Sequence, residues 1–339
     1  MRGYKIITIL ISSLLFSCSQ NPDNNSDNHI IAFVDTIPIS YSEVDHMIRQ
    51  EIFDELNRIY LIRKVALEET LKNTLISLES KKYKITKSGL LDSIYLAGQK
   101  KFPLNKFIEV NQFDKGITTL ERSFETYYIN TLKGNEILLK RYNDFLLNKY
   151  IDSIKVLYNT KILLKPPVSP SISFKNQFVH YKGNLESKTT LLIISDFECG
   201  MCRKFNSIFD SLYIKYKDNI KFGFTSFGTY VTLSALAAEC AAKQGKFWDM
   251  HDSLFFSGRL PDSTDILRIA QNININIEKF NSDFNENALK KDLENNFYNI
   301  MNSGIYATPT IIINSKLIFN SSSISEIEQI LLQELQRQN

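Results

Sequence analysis

Cys199-Gly200-Met201-Cys202 follows directly on the apolar run Thr190 to Ser195 (TLLIIS) and opens the helix-like stretch after it. At a helix N-terminus the first amides have no intrahelical partner and the dipole end is positive, so a thiolate there is stabilised. The pKa of a cysteine so placed falls below its free value of about 8.5. Two residues of spacing bring both sulfurs within bonding distance across the first turn. The first cysteine can then attack a disulfide and the second can resolve the mixed disulfide. Two other uses of the pair compete. A zinc site would want a second Cys/His pair, and His180, His251 and Cys240 do not supply that spacing. A purely structural disulfide would leave the strand–helix placement a coincidence. Cys240 lies among Ala237, Ala238, Ala241 and Ala242, where a small buried residue is expected and a third redox cysteine is the alternative. Phe247, Trp248 and His251 read as packing residues rather than ligands.

The elements around the pair follow from hydrophobic period. After the cysteines, Phe205, Ile208, Phe209, Leu212 and Tyr216 share one helix face, and Ile220 to Phe227 (IKFGFTSF) reads as a strand. A long helical stretch is expected from about Leu233 to Met301. Two short strands, Thr310 to Asn314 and Lys316 to Phe319, then form a hairpin, and Ser323-Ile324-Ser325-Glu326 caps a last helix bearing Ile327, Ile330, Leu331 and Leu335. Strand, helix, strand, helical insertion, strand, strand, helix is the order of an α/β layer fold with a mixed sheet.

The first half differs. Ile30 to Val34 is a strand candidate ending in a turn at Asp35-Thr36-Ile37-Pro38, and Ser40-Tyr41-Ser42-Glu43 reads as a capping box. Val44, Ile48, Ile52, Leu56 and Tyr60 follow at helical spacing, continued by Leu67, Leu71, Leu75 and Leu78. After a break around Lys81 to Gly89, helix-like sequence runs to about Tyr158. Pro166-Pro167-Val168-Ser169-Pro170 is stiff, cannot enter a helix, and marks the clearest boundary.

At the N-terminus, basic Arg2 and Lys5 precede an apolar run from Ile6 to Phe16, far short of the roughly 20 residues of a membrane-spanning helix. It fits a secretory leader. Leu15-Phe16-Ser17-Cys18 looks like a bacterial lipobox, in which the leader is cut before the cysteine and Cys18 is lipidated; a plain secretory leader with an incidental cysteine is the alternative. Ser19 to Asn28 reads as a hydrophilic tether. The implied compartment is the cell envelope, where disulfides persist. Net charge is +3, from 40 Lys+Arg against 37 Asp+Glu, and +1 once Arg2 and Lys5 leave with the leader. Nothing in that balance suggests a nucleic-acid binder.

Gly304-Ile305-Tyr306-Ala307-Thr308-Pro309-Thr310 precedes the TIIIN strand. Together with Ser195-Asp196-Phe197-Glu198-Cys199-Gly200-Met201-Cys202 and the insertion-like Ala237 to Phe255, it makes residues 175–339 resemble the thioredoxin superfamily, specifically the envelope DsbA/DsbG-like proteins. The resemblance implies an α/β thioredoxin fold with a helical insertion. It also implies a thiol–disulfide oxidoreductase with Cys199 as attacking thiolate and Cys202 as resolving thiol, with no metal or organic cofactor beyond the redox-active Cys199–Cys202 disulfide. Pro309 would be a cis-proline facing that disulfide, where an ordinary trans strand-start proline is the alternative. Thr308, Pro309, Gly200 and Met201 would bind substrate, the Thr308 backbone pairing with its chain. The family often carries a buried acid six residues before the first cysteine; here that position is Ile193, which leaves the proton acceptor for Cys202 unassigned. Gly200-Met201 supplies no histidine donor to the thiolate, so the reading leans to isomerase or reductase rather than strong oxidase.

Ile31 to Tyr95 resembles the N-terminal helical domain of SurA-type envelope chaperones, without strands that would form a parvulin isomerase domain. That implies peptide binding; a helical spacer or dimerisation arm is the alternative. The expected organisation is a lipoprotein leader at 1–17, a tether at 18–29, a mainly helical SurA-N-like domain at 30–165, a proline-rich linker at 166–174 and a thioredoxin-like domain at 175–339. The expected protein is a lipid-anchored envelope protein facing the periplasm. It would exchange disulfides with thiol- or disulfide-bearing envelope proteins and be reset by a membrane redox partner. The rival is a chaperone-like peptide-binding lipoprotein whose CxxC is structural or vestigial.

Overall fold

The computed structural model describes residues 29–118, 126–173, 178–257, 260–319 and 323–337. The leader, the lipobox with Cys18 and nearly all of the tether lie outside the described residues. Two compact units emerge, one combining the chain up to Asp54 with Ser169–Asn339, the other Glu55–Val168. The second unit ends within the proline-rich run, but the residues before Glu55 join the unit that carries the cysteines rather than the helical domain.

Those first residues form a hairpin of β1 (Ile30–Val34) and β2 (Ile37–Ser40). Its turn is tighter than expected, because Asp35 adopts a left-handed φ of 55° and lets Ile37 and Pro38 enter the second strand. Ser40 caps α1 (Tyr41–Met47) in a reciprocal box with Glu43, each side chain taking the other's backbone amide. Helix α2 (Arg49–Tyr83) follows. The expected stripe is not the buried one: Val44 of α1, Ile48 between the two helices and Leu56 of α2 are exposed, whereas Gln50, Phe53 and Asp54 at the start of α2 are buried. The period is helical, but the buried face differs because Gln50 and Asp54 have polar partners inside the fold.

The helical unit continues with α3 (Lys87–Lys101), capped by Thr86, α4 (Leu104–Asn111), the two-residue ladder of β3 (Ile117–Thr118) with β4 (Thr126–Tyr127), and α5 (Leu132–Leu157). Leu75, Ile76, Leu90, Ile94, Leu147 and Ile151 pack as one core, and Phe107, Ile117, Leu138, Tyr142 and Leu146 as another. The buried Glu79 carboxylate accepts from the hydroxyls of Tyr150 at 2.5 Å and Tyr158 at 2.8 Å. No helix among the described residues is long and apolar enough to cross a membrane.

The cysteine-bearing unit is built on a five-stranded mixed sheet in the order β5-β7-β6-β8-β9. Its strands are β5 (His180–Gly183), β6 (Thr190–Ser195), β7 (Lys221–Ser226), β8 (Thr310–Ile313) and β9 (Lys316–Ile318). Only β6 and β7 pair in parallel; β5, β8 and β9 run antiparallel to their neighbours. Helix α6 (Gly200–Tyr216) leaves β6, and α12 (Ile324–Gln336) closes the unit. The expected continuous helical stretch is five helices, α7 (Leu233–Ala242), α8 (Phe247–Phe256), α9 (Ser263–Asn272), α10 (Ile277–Phe284) and α11 (Asn287–Asn302). Asp262 and Asn276 cap new starts inside it.

Strand alternation divides the core in two. Leu191 and Ile193 of β6, with Ile311 and Ile313 of β8, pack with Phe209, Leu212, Ile327 and Leu331 of α6 and α12. Ile194 and Ile312 point the other way, into the insertion with Ala238, Met250, Leu293 and Ile300. This two-sided burial explains why TLLIIS has no polar alternation.

Candidate functional site

Ser195 ends β6, and Asp196 to Glu198 turn the chain into α6. The amide of Glu198 donates to the Asp196 carboxylate at 2.9 Å, fixing this turn. Cys199 is the N-cap of α6 and Cys202 its third residue, so the sulfur of Cys199 takes the place that a serine hydroxyl often holds. The Cys202 amide donates to the Cys199 sulfur at 3.5 Å, and the Asp196 amide to the Cys202 sulfur at 3.4 Å. Cys199, Cys202 and Cys240 are free thiols.

The two sulfurs differ in environment. Burial opposes ionisation of Cys199, but hydrogen bonds from the Cys202 amide, the Cys202 thiol, the Met201 amide and the Thr308 side chain together outweigh it and lower the pKa. Cys202 is 1% exposed, and burial raises its pKa to about 11 despite hydrogen bonds from Ser195, Asp196 and Thr308. The accessible cysteine is therefore the better nucleophile, and the buried one holds its proton. Gly200 opens the helix with nothing within 4 Å of where a Cβ would stand, and Met201 is 62% exposed.

The opposite wall is the segment before β8. The Thr308–Pro309 peptide is cis, and the Cys199 thiol donates to the Thr308 carbonyl at 3.8 Å. Cys199, Cys202 and Thr308 are thus brought together with Pro309 following. Ile193, at the position where the resembled family often has an acid, is buried between Phe224 of β7 and Ile311 of β8. Two carboxyl groups lie in the turn itself. Burial raises the pKa of Asp196, opposed by the Glu198 amide; burial and then the Asp196 charge raise that of Glu198.

The remaining candidates stand elsewhere. Cys240 is fully buried in α7 against the insertion core, and burial, then Asp283, raises its pKa to about 12. His180 on β5 pairs with the buried Glu239 of α7 at 2.9 Å and stacks on Phe247. His251 sits among Phe197, Phe224, Trp248 and Phe255. Among the described residues no group of three or more His, Cys, Asp or Glu side chains could hold a metal ion.

Sequence reasoning missed what supports the Thr308 segment. Gln50 reaches it: its Nε2 donates to Thr310 Oγ1 at 2.6 Å, and its Oε1 accepts from the amides of Tyr306 at 2.9 Å and Ala307 at 3.4 Å. A lone glutamine on a charged helix start carries no signal of such a role.

The Thioredoxin family model matches residues 175–333. Disulfide bond formation protein D of Bacillus subtilis (strain 168) is 31% identical over 186 residues, covering 50% of this chain and 81% of that protein. A Na(+)/H(+) antiporter NhaA of Herminiimonas arsenicoxydans is 25% identical over 172 residues, covering 50% of this chain and 27% of that protein. The chain thus spans only about a quarter of the length of such antiporter relatives. Among solved structures, oxidised BdbD from Bacillus subtilis aligns at a TM-score of 0.43 with 28% identity, covering 50% of this chain and 98% of that one. The thiol-disulfide exchange protein alpha-DsbA2 from Wolbachia pipientis aligns at 0.41 with 22% identity, covering 45% and 86%.

Proposed function

Because the chain belongs to the DsbA-like thioredoxin-fold thiol–disulfide oxidoreductases, we propose that it exchanges disulfides with envelope proteins through Cys199 and Cys202. The observation that carries this reading is the placement of Cys199 at the α6 N-cap with its sulfur 3.8 Å from the Thr308 carbonyl. The Cys199 thiolate attacks one sulfur of a substrate disulfide; the new S–S bond forms as the old one breaks, and the other substrate sulfur leaves as a thiolate and takes a proton from water. Cys202 then gives up its proton and attacks the Cys199 sulfur, releasing the second substrate thiol. The substrate gains two electrons and the pair loses them as the Cys199–Cys202 disulfide. Run backwards, the same steps donate a disulfide.

No metal or organic cofactor enters these steps; a membrane redox partner returns the pair to its starting state. The direction leans to isomerase or reductase, since Gly200 and Met201 offer no cationic donor to the Cys199 thiolate. Lipidation at Cys18 would tether the protein to the envelope membrane, facing the periplasm. Gly200, the exposed Met201, Thr308 and Pro309 form the substrate-binding surface.

Cys202→Ser tests this reading directly. The serine variant is expected to accumulate covalent adducts with disulfide-bearing peptides, because the resolving thiol is gone, whereas Cys199→Ser should form none. Exchange activity that survives Cys199→Ser would sink it.

One observation favours a second reading for the helical unit. A cavity of about 730 Å³ there is lined by Leu90, Ile94, Phe102 and Phe145, with Lys101 and Lys149 among the lining residues, a size within the usual range of ligand sites. A chaperone-like role would place an apolar peptide segment in it. Cys199→Ser protein that still suppresses aggregation of an unfolded client would support this role; full loss on the same substitution would refute it.

A further inference from the structure

We propose that Gln50 is a positioning residue of the substrate groove, holding the backbone on both sides of the Thr308–Pro309 bond; this rests on the oxidoreductase reading above. Gln50 belongs to the same compact unit as the cysteines but lies outside residues 175–333, which match the family model. It is 1% exposed. Burying an amide side chain is unfavourable unless its polar atoms are paired, and each of them is. The oxygen accepts from Tyr306 and Ala307, upstream of Thr308, and the nitrogen donates to the Thr310 hydroxyl, downstream of Pro309. That hydroxyl in turn donates to the Ala307 carbonyl at 2.6 Å, closing a ring of hydrogen bonds around the two residues. Thr308 is left between two fixed points, with its carbonyl presented to Cys199.

Neighbouring contacts set the carboxamide in place. The Gln50 amide donates to the Gly304 carbonyl at 3.1 Å, and Arg49 Nη1 donates to the Ser171 carbonyl at 3.0 Å. Phe53, one turn on, packs in the core cluster that includes Cys202, Phe197 and Ile305. The Tyr306 hydroxyl lies 3.4 Å from the Asp54 carboxylate. The helix start is therefore built into the wall of the site. A substrate strand pairing with Thr308 needs its carbonyl and amide at fixed positions. The glutamine acts on that geometry and does not touch the sulfurs.

The experiment uses the full chain with two substitutions. Gln50→Met keeps the shape but removes every side-chain hydrogen bond; Gln50→Glu keeps the acceptor for Tyr306 and Ala307. A disulfide-bearing fluorogenic peptide gives kcat and KM, and iodoacetamide gives the reactivity of Cys199. Gln50→Met is expected to raise KM roughly tenfold, the scale of leaving buried amides without an acceptor, with Cys199 alkylation within about twofold of the unsubstituted chain. Gln50→Glu should recover most of the KM. Should Gln50→Met fail to fold, faster hydrogen exchange at the Tyr306 and Ala307 amides in a Gln50→Asn chain, with raised KM, carries the same conclusion. Unchanged KM in the folded variants overturns the proposal, as does a lowered alkylation rate with KM intact. An unsubstituted chain that exchanges no disulfide overturns the underlying reading instead.

Discussion

The sulfur of Cys199 lies 3.8 Å from the carbonyl oxygen of Thr308, joining residues 109 positions apart. On its other side the same sulfur accepts the Cys202 amide. As a thiol, Cys199 donates to the Thr308 carbonyl; once ionised its sulfur can only accept, and this bond is lost.

The first prediction concerns which cysteine reacts. Hydrogen bonds hold the Cys199 pKa below the ordinary thiol value, whereas burial pushes Cys202 to about 11 and Cys240 to about 12. Iodoacetamide at pH 7, followed by peptide mapping, should therefore label Cys199 and leave Cys202 and Cys240 unlabelled. The Cys199 rate should reach half its maximum below about pH 8.5, the free-cysteine value. A midpoint at or above that pH would show that burial wins over the donors.

The reduction potential decides direction. A Gly-Met dipeptide gives the thiolate amide donors but no cation, so the reduced form is stabilised only modestly. The expected potential in glutathione buffers is about −200 mV or below. A value near about −120 mV, the range of a strong oxidant, would make the protein a disulfide donor.

The segment from β6 through α6 was legible because each signal agreed with the next: TLLIIS is buried on both faces, and the cysteines occupy the helix start it feeds. The cap at Ser323 with Glu326 was equally plain. β5 escaped because His180–Gly183 is short and alternates with no apolar run, and its pairing with β7 depends on residues about 40 positions away. β3 and β4 are too short to pattern at all. The role of Gln50 was invisible for a different reason. Apolar period predicts which side chains leave water, and here Gln50 is buried by partners some 256 to 260 residues distant.

Acid should weaken the cysteine-bearing unit through His251. Burial lowers its pKa to about 4, with Asp252 opposing. The unfolded chain, with a histidine pKa near about 6.5, binds the proton more tightly than the folded one. Stability is therefore full above about pH 6.5 and falls as pH drops towards 4, by up to about 3 kcal/mol from this group. Trp248 is the single tryptophan and sits against His251, so its fluorescence in urea reports this unit. His251→Phe should flatten the slope between pH 7 and 5; an identical slope would assign the acid sensitivity elsewhere.

Gly304 offers a test of how tightly the first residues are built into the unit. Its φ is +80°, and a Cβ there would lie 2.4 Å from the His46 carbonyl oxygen and 2.6 Å from Arg49 Cγ. Alanine would carry the left-handed backbone cost of roughly 1–2 kcal/mol and also force the helix start away from the segment it braces. Gly200, with open space at its Cβ position, is the control: alanine there should change stability by no more than about 0.5 kcal/mol. The expected result is a loss of about 2 kcal/mol or more for Gly304→Ala in urea titrations followed by Trp248. Faster hydrogen exchange at the Gln50 and Tyr306 amides should accompany it. Equal stability of the two alanine variants would mean that the residues around His46 yield freely, and that the close approach at Gly304 contributes little to the fold.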